Sequence, residues 1–346
     1  MSVVLKTNGQ VFSGWIAAEV ERSINAIAGR FIINFTDKWQ EGQHKWHMKS
    51  GDSCSIELEN ETVITGFIDS LKIDLTADAR TLSISGRDKT GDLVDSGSLL
   101  EEKSFADVSL GDMATQAVKG FDVNVSPLSD NSKAKIKATS IQYNETVFEF
   151  ISRIAHNQGV LCYPDKNGGI IFSDVSTEVI DAISLKNKII EINAKTDSSK
   201  LFHDYIVISH NGSAQEQTKT IRKVAQDLKN TTKRRKIIVV SSNTNDAGAQ
   251  ARADWEKACH IARSFQASVK ILGWKNSKGQ LWDVNKLISL DAEAAGIVKG
   301  NYLIESVKFI LDARKGQITQ LNLVLPNAYN AAPESVRKED AEGMQQ

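Results

Sequence analysis

The sequence predicts an α+β, mainly β fold: two related small β-barrel or β-roll domains with intervening α+β domains. Three observations predict it. Short runs of alternating apolar and polar residues crowd both ends of the chain. A six-residue segment near the start returns, in register, near the end. Between them the periodicity changes to that of capped helices.

At 346 residues the chain is too long for one ordinary core. Hydrophobic residues at 41% and charged residues at 25% are those of a globular protein that folds in water. The formal charge of −1 excludes a global field that would draw the chain onto nucleic acid or an anionic membrane. No apolar run reaches the roughly 20 residues that span a bilayer, and Met1–Gln10 lacks the layout of a signal peptide, so no membrane anchor and cytoplasmic synthesis are expected. Cys54, Cys162 and Cys259 are odd in number and far apart, which fits separate thiols rather than a disulfide framework or zinc site.

The first domain, 1–95, reads as short strands over Val11–Val20, Gly29–Thr36, Ser53–Glu59, Thr62–Leu75 and Arg80–Arg87. Turn-prone clusters such as Lys49-Ser50-Gly51-Asp52 separate them. Several short strands in so few residues argue for a small barrel or roll. In 96–184, Ser109 can cap a short helix running to Lys119, with Gly120 as its stop. Thr146-Val147-Phe148-Glu149 has capping-box spacing. Behind it Val147, Phe150, Ile151, Ile154 and Ala155 form one apolar helical face that Gly159 ends. Val160–Tyr163 and Ile170–Phe172 flank Pro164-Asp165-Lys166-Asn167-Gly168-Gly169, a hairpin signal.

Strands return in 185–330, including Tyr205–Ser209 and Lys236–Val240. An inserted helix-containing segment is expected at about 211–264, its helix running from Asp246 to about Arg263. Phe265, Ala267, Val269 and Ile271 then alternate with polar residues as a strand does. The polar segment 331–346 has little to bury and reads as a flexible tail.

The repeat pairs Ile68-Asp69-Ser70-Leu71-Lys72-Ile73 with Ile304-Glu305-Ser306-Val307-Lys308-Phe309. Ile, Ser and Lys coincide, and the other three pairs are conservative. Each segment leads through a polar turn into a second alternating strand, Thr81–Ser85 or Ile318–Leu323. Each is preceded by a further strand, Cys54–Leu58 or Leu287–Leu290. The shared order of strand, loop, strand, turn, strand points to duplication.

No catalytic motif accompanies this framework. G-x-S-x-G, H-E-x-x-H, a P-loop and a dinucleotide fingerprint are all missing, so no enzyme and no cofactor are expected. His44, His47 and Cys54 lack the spacing of a zinc site. His156 falls in the last turn of the capped helix, where a cation suits the dipole. His203 and Asp204 precede a strand without a nucleophile signature, and Glu101, Glu102 and Asp227 are carboxylates without a defined partner. The most charged stretch holds Lys229, Lys233, Arg234, Arg235 and Lys236. Its ordinary reading is a solvated loop; its functional one is a basic loop lining a channel.

Several segments resemble baseplate hub proteins of Mu-like contractile-tailed phages. Ile24-Asn25-Ala26-Ile27-Ala28-Gly29-Arg30-Phe31, Ile64-Thr65-Gly66-Phe67-Ile68-Asp69 and Ser85-Gly86-Arg87-Asp88-Lys89-Thr90-Gly91-Asp92-Leu93-Val94-Asp95 resemble the family's first domain. Gln142-Tyr143-Asn144-Glu145-Thr146 and Phe150-Ile151-Ser152-Arg153-Ile154-Ala155 are similar to its second. Gly273-Trp274, Gly279-Gln280-Leu281-Trp282, Asn285 and the run from Leu303 to Tyr329 are similar to its closing domain. The resemblance spans nearly the whole chain, and extends to late control D-type tail proteins and the hub part of type VI secretion spikes.

It implies a virion structural protein: a homotrimer forming a ring at the tail baseplate, adapting a six-fold tail tube to a three-fold spike. The implied partners are a second and third copy, the spike protein, the tail tube protein and other baseplate proteins, with transient DNA contact in the channel. Tail assembly would take place in the bacterial host cytoplasm, for a phage or a prophage. Two other classes compete. A tail-associated cell-wall hydrolase requires paired carboxylates or a metal. A carbohydrate-binding β protein requires clustered aromatic platforms, whereas the six Trp are scattered.

Overall fold

The computed structural model describes residues 3–25, 28–37, 48–76, 80–97, 104–142, 144–211, 219–239 and 246–329. Of these residues strands make up 52% and helices 19%, which fixes the class as α+β, mainly β. His44, His47, Glu101, Glu102 and the expected tail lie outside the described residues.

Thirteen strands join one sheet, and the duplication is written into its order. In the first copy the neighbours run Ala17–Ser23, Arg30–Asp37, Arg80–Asp88, Glu61–Leu75, Ser53–Leu58, Val3–Thr7. In the second they run Ile189–Thr196, Phe265–Leu272, Gly316–Val324, Ile297–Asp312, Leu287–Ala292, Val179–Ser184. Each copy has a long central strand, Glu61–Leu75 or Ile297–Asp312. The sixth strands differ: Val3–Thr7 is antiparallel to its neighbour and Val179–Ser184 is parallel.

The registers coincide as well as the order. Ser53 faces Phe67 in the first copy, and Leu287 faces Leu303 in the second. On the other side of the central strand Ile68 faces Gly86 and Ser70 faces Ser85, leaving Asp69 as the extra residue of a bulge. Likewise Ile304 faces Leu323 and Ser306 faces Asn322, leaving Glu305 as the extra residue. Asp69 and Glu305 occupy the same place in the six-residue match. A bulge bends its strand, and each central strand pairs with one neighbour before the bend and presents another edge after it.

Among the described residues the sheet does not close: its path runs from Ile189–Thr196 to Gln10–Phe12, so of the β-barrel or β-roll expected the barrel form is not confirmed. Beyond its bulge the second-copy central strand pairs with the first copy, from Ser306 opposite Ser23 to Asp312 opposite Ala17. That edge therefore joins the copies to one another instead of closing the second on itself. A correction concerns Val11–Val20, which is broken into Gln10–Phe12 and Ala17–Ser23. Gly14 takes φ +88° between them, a conformation that an extended strand does not contain.

One hydrophobic core serves both copies. It contains Phe31, Ile33, Ile56 and Ile84 from the first, and Val269, Trp274, Trp282 and Phe309 from the second. The middle of the chain has its own core. Helix Leu110–Ala117 is capped by Ser109, whose side chain accepts from the Asp112 N–H. Helix Val147–Asn157 begins with the full capping box of Thr146 and Glu149. Met113, Phe148, Phe150, Ile151 and Ile154 pack between these helices and the small sheets, including the Leu161–Pro164 and Ile170–Ser173 hairpin.

A third, smaller core lies between a three-stranded sheet and a helix. Asp204–Asn211 sits between Lys219–Gln226 (antiparallel) and Arg235–Val239 (parallel), with helix Asp246–Arg263 packed on one face. Arg22, with its side chain only 6% exposed, ties three regions together. It pairs with Asp283 of the second copy and donates to the Pro164 carbonyl of the hairpin, 3.2 Å away.

Candidate interface

Three of the five basic residues expected to form a loop have partners in the fold. Arg234 donates to the Ser198 carbonyl at 2.8 Å and to that of Ser199. Arg235 Nε lies 3.3 Å from Asp204 Oδ2. Lys236 Nζ lies 2.7 Å from His260 Nε2 and 3.5 Å from Glu256. Burial and the Lys236 charge hold the His260 pKa below its ordinary value. The neutral ring then accepts from the ammonium at Nε2 and donates to the Lys200 carbonyl from Nδ1, at 3.0 Å. Lys229 and Lys233 are exposed.

The other candidate residues have structural partners. His156 sits in the last helical turn, its ring 6.5 Å from that of Trp255. His203 Nδ1 lies 2.8 Å from Asp204, and bonds from Gln226 and His203 hold the Asp204 carboxyl below the usual range. Asp227 accepts from the Lys229 N–H in a turn. Burial pushes the Cys54 and Cys162 thiols up to about 12, where neither supplies a thiolate near neutrality.

A cavity of about 660 Å³ separates Ile24 and Asn25 from the capped helix. Its wall carries Glu145, Glu149, Arg153 and His156. Burial opposes ionisation of Glu145, but the bonds from Arg153 and the Gln142 N–H outweigh it and hold the pKa down. Arg153 meets both carboxylate oxygens, at 2.6 and 2.8 Å. Glu149 accepts from the Thr146 N–H at 2.9 Å as half of the capping box. Both acids thus bond at the helix start. Among the described residues no three His, Cys, Asp or Glu side chains converge on a metal position. No helix of these residues is long and apolar enough to cross a membrane.

An exposed apolar edge lies at the end of the first-copy central strand. Ile73 is 47% and Leu75 57% exposed. Among the described residues, only Arg80–Asp88 pairs with the strand there. Sequence patterning singled out Leu71-Lys72-Ile73 as a repeat but not as a surface. The available signal was length: the central strand has 15 residues and its neighbour Ser53–Leu58 only 6, so one edge must overhang.

Comparison with known proteins accounts for most of the chain. Residues 2–88 match the N-terminal domain of Mu phage baseplate assembly protein GpP-like proteins, and 90–174 the second domain of gp44-like baseplate hub proteins. Residues 245–332 match the fourth domain of Mu phage baseplate assembly protein GpP. The chain belongs to the Mu-type baseplate hub family.

Among family relatives, the baseplate hub protein gp44 of Escherichia phage Mu is 29% identical, over 97% of this chain and 91% of its own length. The 43 kDa tail protein of prophage MuSo2 from Shewanella oneidensis superposes with a TM-score of 0.84 at 27% identity, covering 94% of this chain and 99% of that one. A component of the E. coli type VI secretion system shares the fold, with a TM-score of 0.58 at 13% identity over 96% of this chain and 80% of that one.

Proposed function

We propose that this chain is a structural hub subunit that assembles as a homotrimeric ring in the baseplate of a contractile phage or prophage tail. The observation that carries the proposal is the duplication: six strands in matching order, with bulges at the equivalent residues Asp69 and Glu305. With two similar modules per chain, three chains present six about one axis while the particle keeps three-fold symmetry. Such a ring suits a six-fold tail tube on one side and a three-fold spike on the other. Spike, tail tube and other baseplate proteins are the proposed partners. Tail assembly is assigned to the bacterial host cytoplasm and the finished ring to the virion.

The chain is read as a first module (1–95), an α+β domain (96–184) whose last strand Val179–Ser184 joins the second module's sheet, a second module with its insertion (185–330) and a tail (331–346). Its work is mechanical rather than catalytic. Lys229 and Lys233, with the exposed side of Arg235, are the groups left to line a channel and meet passing DNA.

Sedimentation equilibrium of the purified chain tests the ring, with a mass of three chains expected. A monomer, or a ring whose averaged images lack a three-fold repeat, would overturn it. Release of peptidoglycan fragments by the same sample would overturn the non-catalytic role.

A further inference from the structure

The link between the two copies within one chain supplies a template for a contact that the chain leaves open. Beyond Glu305 the second-copy central strand pairs with Ala17–Ser23, the first strand of the first copy. Phe309 faces Val20 there and is only 2% exposed. Ile73 is its counterpart in the first copy and stands 47% exposed, with Leu75 beside it in the place of Leu311. The counterpart of Ala17–Ser23 in the second copy is Ile189–Thr196. It is an edge strand of the sheet: Phe265–Leu272 pairs with one side, and among the described residues no strand pairs with the other. Its inward-facing Ile192 is half-buried and Ala194 is exposed, whereas their counterparts Ala18 and Val20 are buried.

We infer that Ile189–Thr196 of a second copy of this chain pairs antiparallel with Ser70–Leu75. The inference rests on the ring proposed above and names the surface that closes it. The duplication also sets the register. Phe309 opposite Val20 becomes Ile73 opposite Ala194 of the second copy, and Leu311 opposite Ala18 becomes Leu75 opposite Ile192. The apolar side chains then meet on the face that continues the core.

The other face carries charged pairs on both strands. Lys72 already pairs with Asp74 at 2.9 Å, and Lys195 with Asp197 at 3.1 Å. In the transferred register the two lysines stand opposite each other, a like-charge pair that by itself opposes the contact. Each also lies diagonal to the other strand's aspartate, within reach of a long side chain. The main-chain bonds of an added strand supply affinity and the alternating side chains fix register. Because the contact joins unlike strands head to tail, repetition closes a ring when the rotation permits.

Disulfide trapping in the full chain tests the pairing. The Ile24 N–H donates to the Glu305 carbonyl at 2.9 Å, which marks Ser306 opposite Ser23 as a non-hydrogen-bonded pair. By alternation Asp74 opposite Asn193 is also such a pair, with the close Cα spacing that a disulfide spans. Oxidised Asp74→Cys/Asn193→Cys is expected to run as a covalent trimer on a non-reducing gel. Asp74→Cys/Ala194→Cys, shifted by one residue onto the opposite face, is expected to remain uncross-linked. Ile73→Lys is expected to shift the sedimenting mass from three chains to one while retaining the native near-ultraviolet spectrum. If the unmodified chain is a trimer but the aligned pair gives no covalent trimer, the pairing is overturned and the ring stands. A monomeric unmodified chain overturns both.

Discussion

Asp88 is a buried carboxylate at the junction between the first module and the middle of the chain. Its Oδ2 accepts from the Gly29 N–H at 2.5 Å, and its Oδ1 from the N–H and hydroxyl of Thr90 at 2.9 and 2.5 Å. Burial pushes its pKa up to about 6 against these bonds and the attraction of Arg22. An unfolded aspartate titrates near 3.9, so between those values the native state binds the proton more tightly. The stabilising contribution is therefore complete below about pH 4 and lost as pH rises through about 6. A shift of about two units corresponds to roughly 3 kcal/mol. Asp88→Asn removes the titration. The unfolding free energy of the parent minus that of the variant should fall between about pH 4 and 6 and level off above 7. Denaturant titrations across that range check it, and a flat or rising difference would refute the assignment. Sequence placed Asp88 in a segment resembling the family but gave no sign of this role, because burial comes from strands distant in the chain.

At the scale of elements, the first-copy central strand runs very close to Arg80–Asp88. A Cβ at Gly66 would lie 2.0 Å from the Arg87 carbonyl oxygen and 2.4 Å from the Asp88 Cα. A Cβ at Gly86 would lie 2.1 Å from the Phe67 carbonyl oxygen. These obstacles are backbone atoms and cannot rotate away. Gly66→Ala should thus cost on the order of 3 kcal/mol through strand displacement, visible as a lower denaturant midpoint. The second copy has Tyr302 and Leu323 at the corresponding positions, so this close approach belongs to the first copy alone.

The elements were legible in the sequence where local chemistry decides them. The Thr146–Glu149 capping box and the strand opened by Phe265 stand where the spacing put them. The break at Gly14 was less legible, because the apolar pattern continues through it.

At the scale of the molecule, the shared core and the third core differ greatly in size. The smaller core rests chiefly on Tyr205, Val207, Ile221, Ala225, Ala249 and Ala253. Regions with few buried apolar contacts open at lower free energy than the global transition. Native-state hydrogen exchange should accordingly release the Tyr205–Ile208 amides before those of Leu303–Ile310, although both lie in strands paired on two sides. Equal protection would mean that the smaller core and the sheet unfold as one unit.

What the sequence determined by itself was the set of parts and their kinship. A repeat is a comparison of residues with residues, so Ile68–Ile73 and Ile304–Phe309 declare their relation before any folding. The class, the capped helices and the family resemblance followed from equally local signals. Tertiary structure decided how the parts join. It bent both central strands at Asp69 and Glu305, carried the second across to Ala17–Ser23, and joined the two expected barrel or roll modules in one sheet. The physical reason lies in the backbone. Strand edges bond through N–H and C=O groups that every residue except proline presents in full, so side-chain order alone does not say which edge meets which.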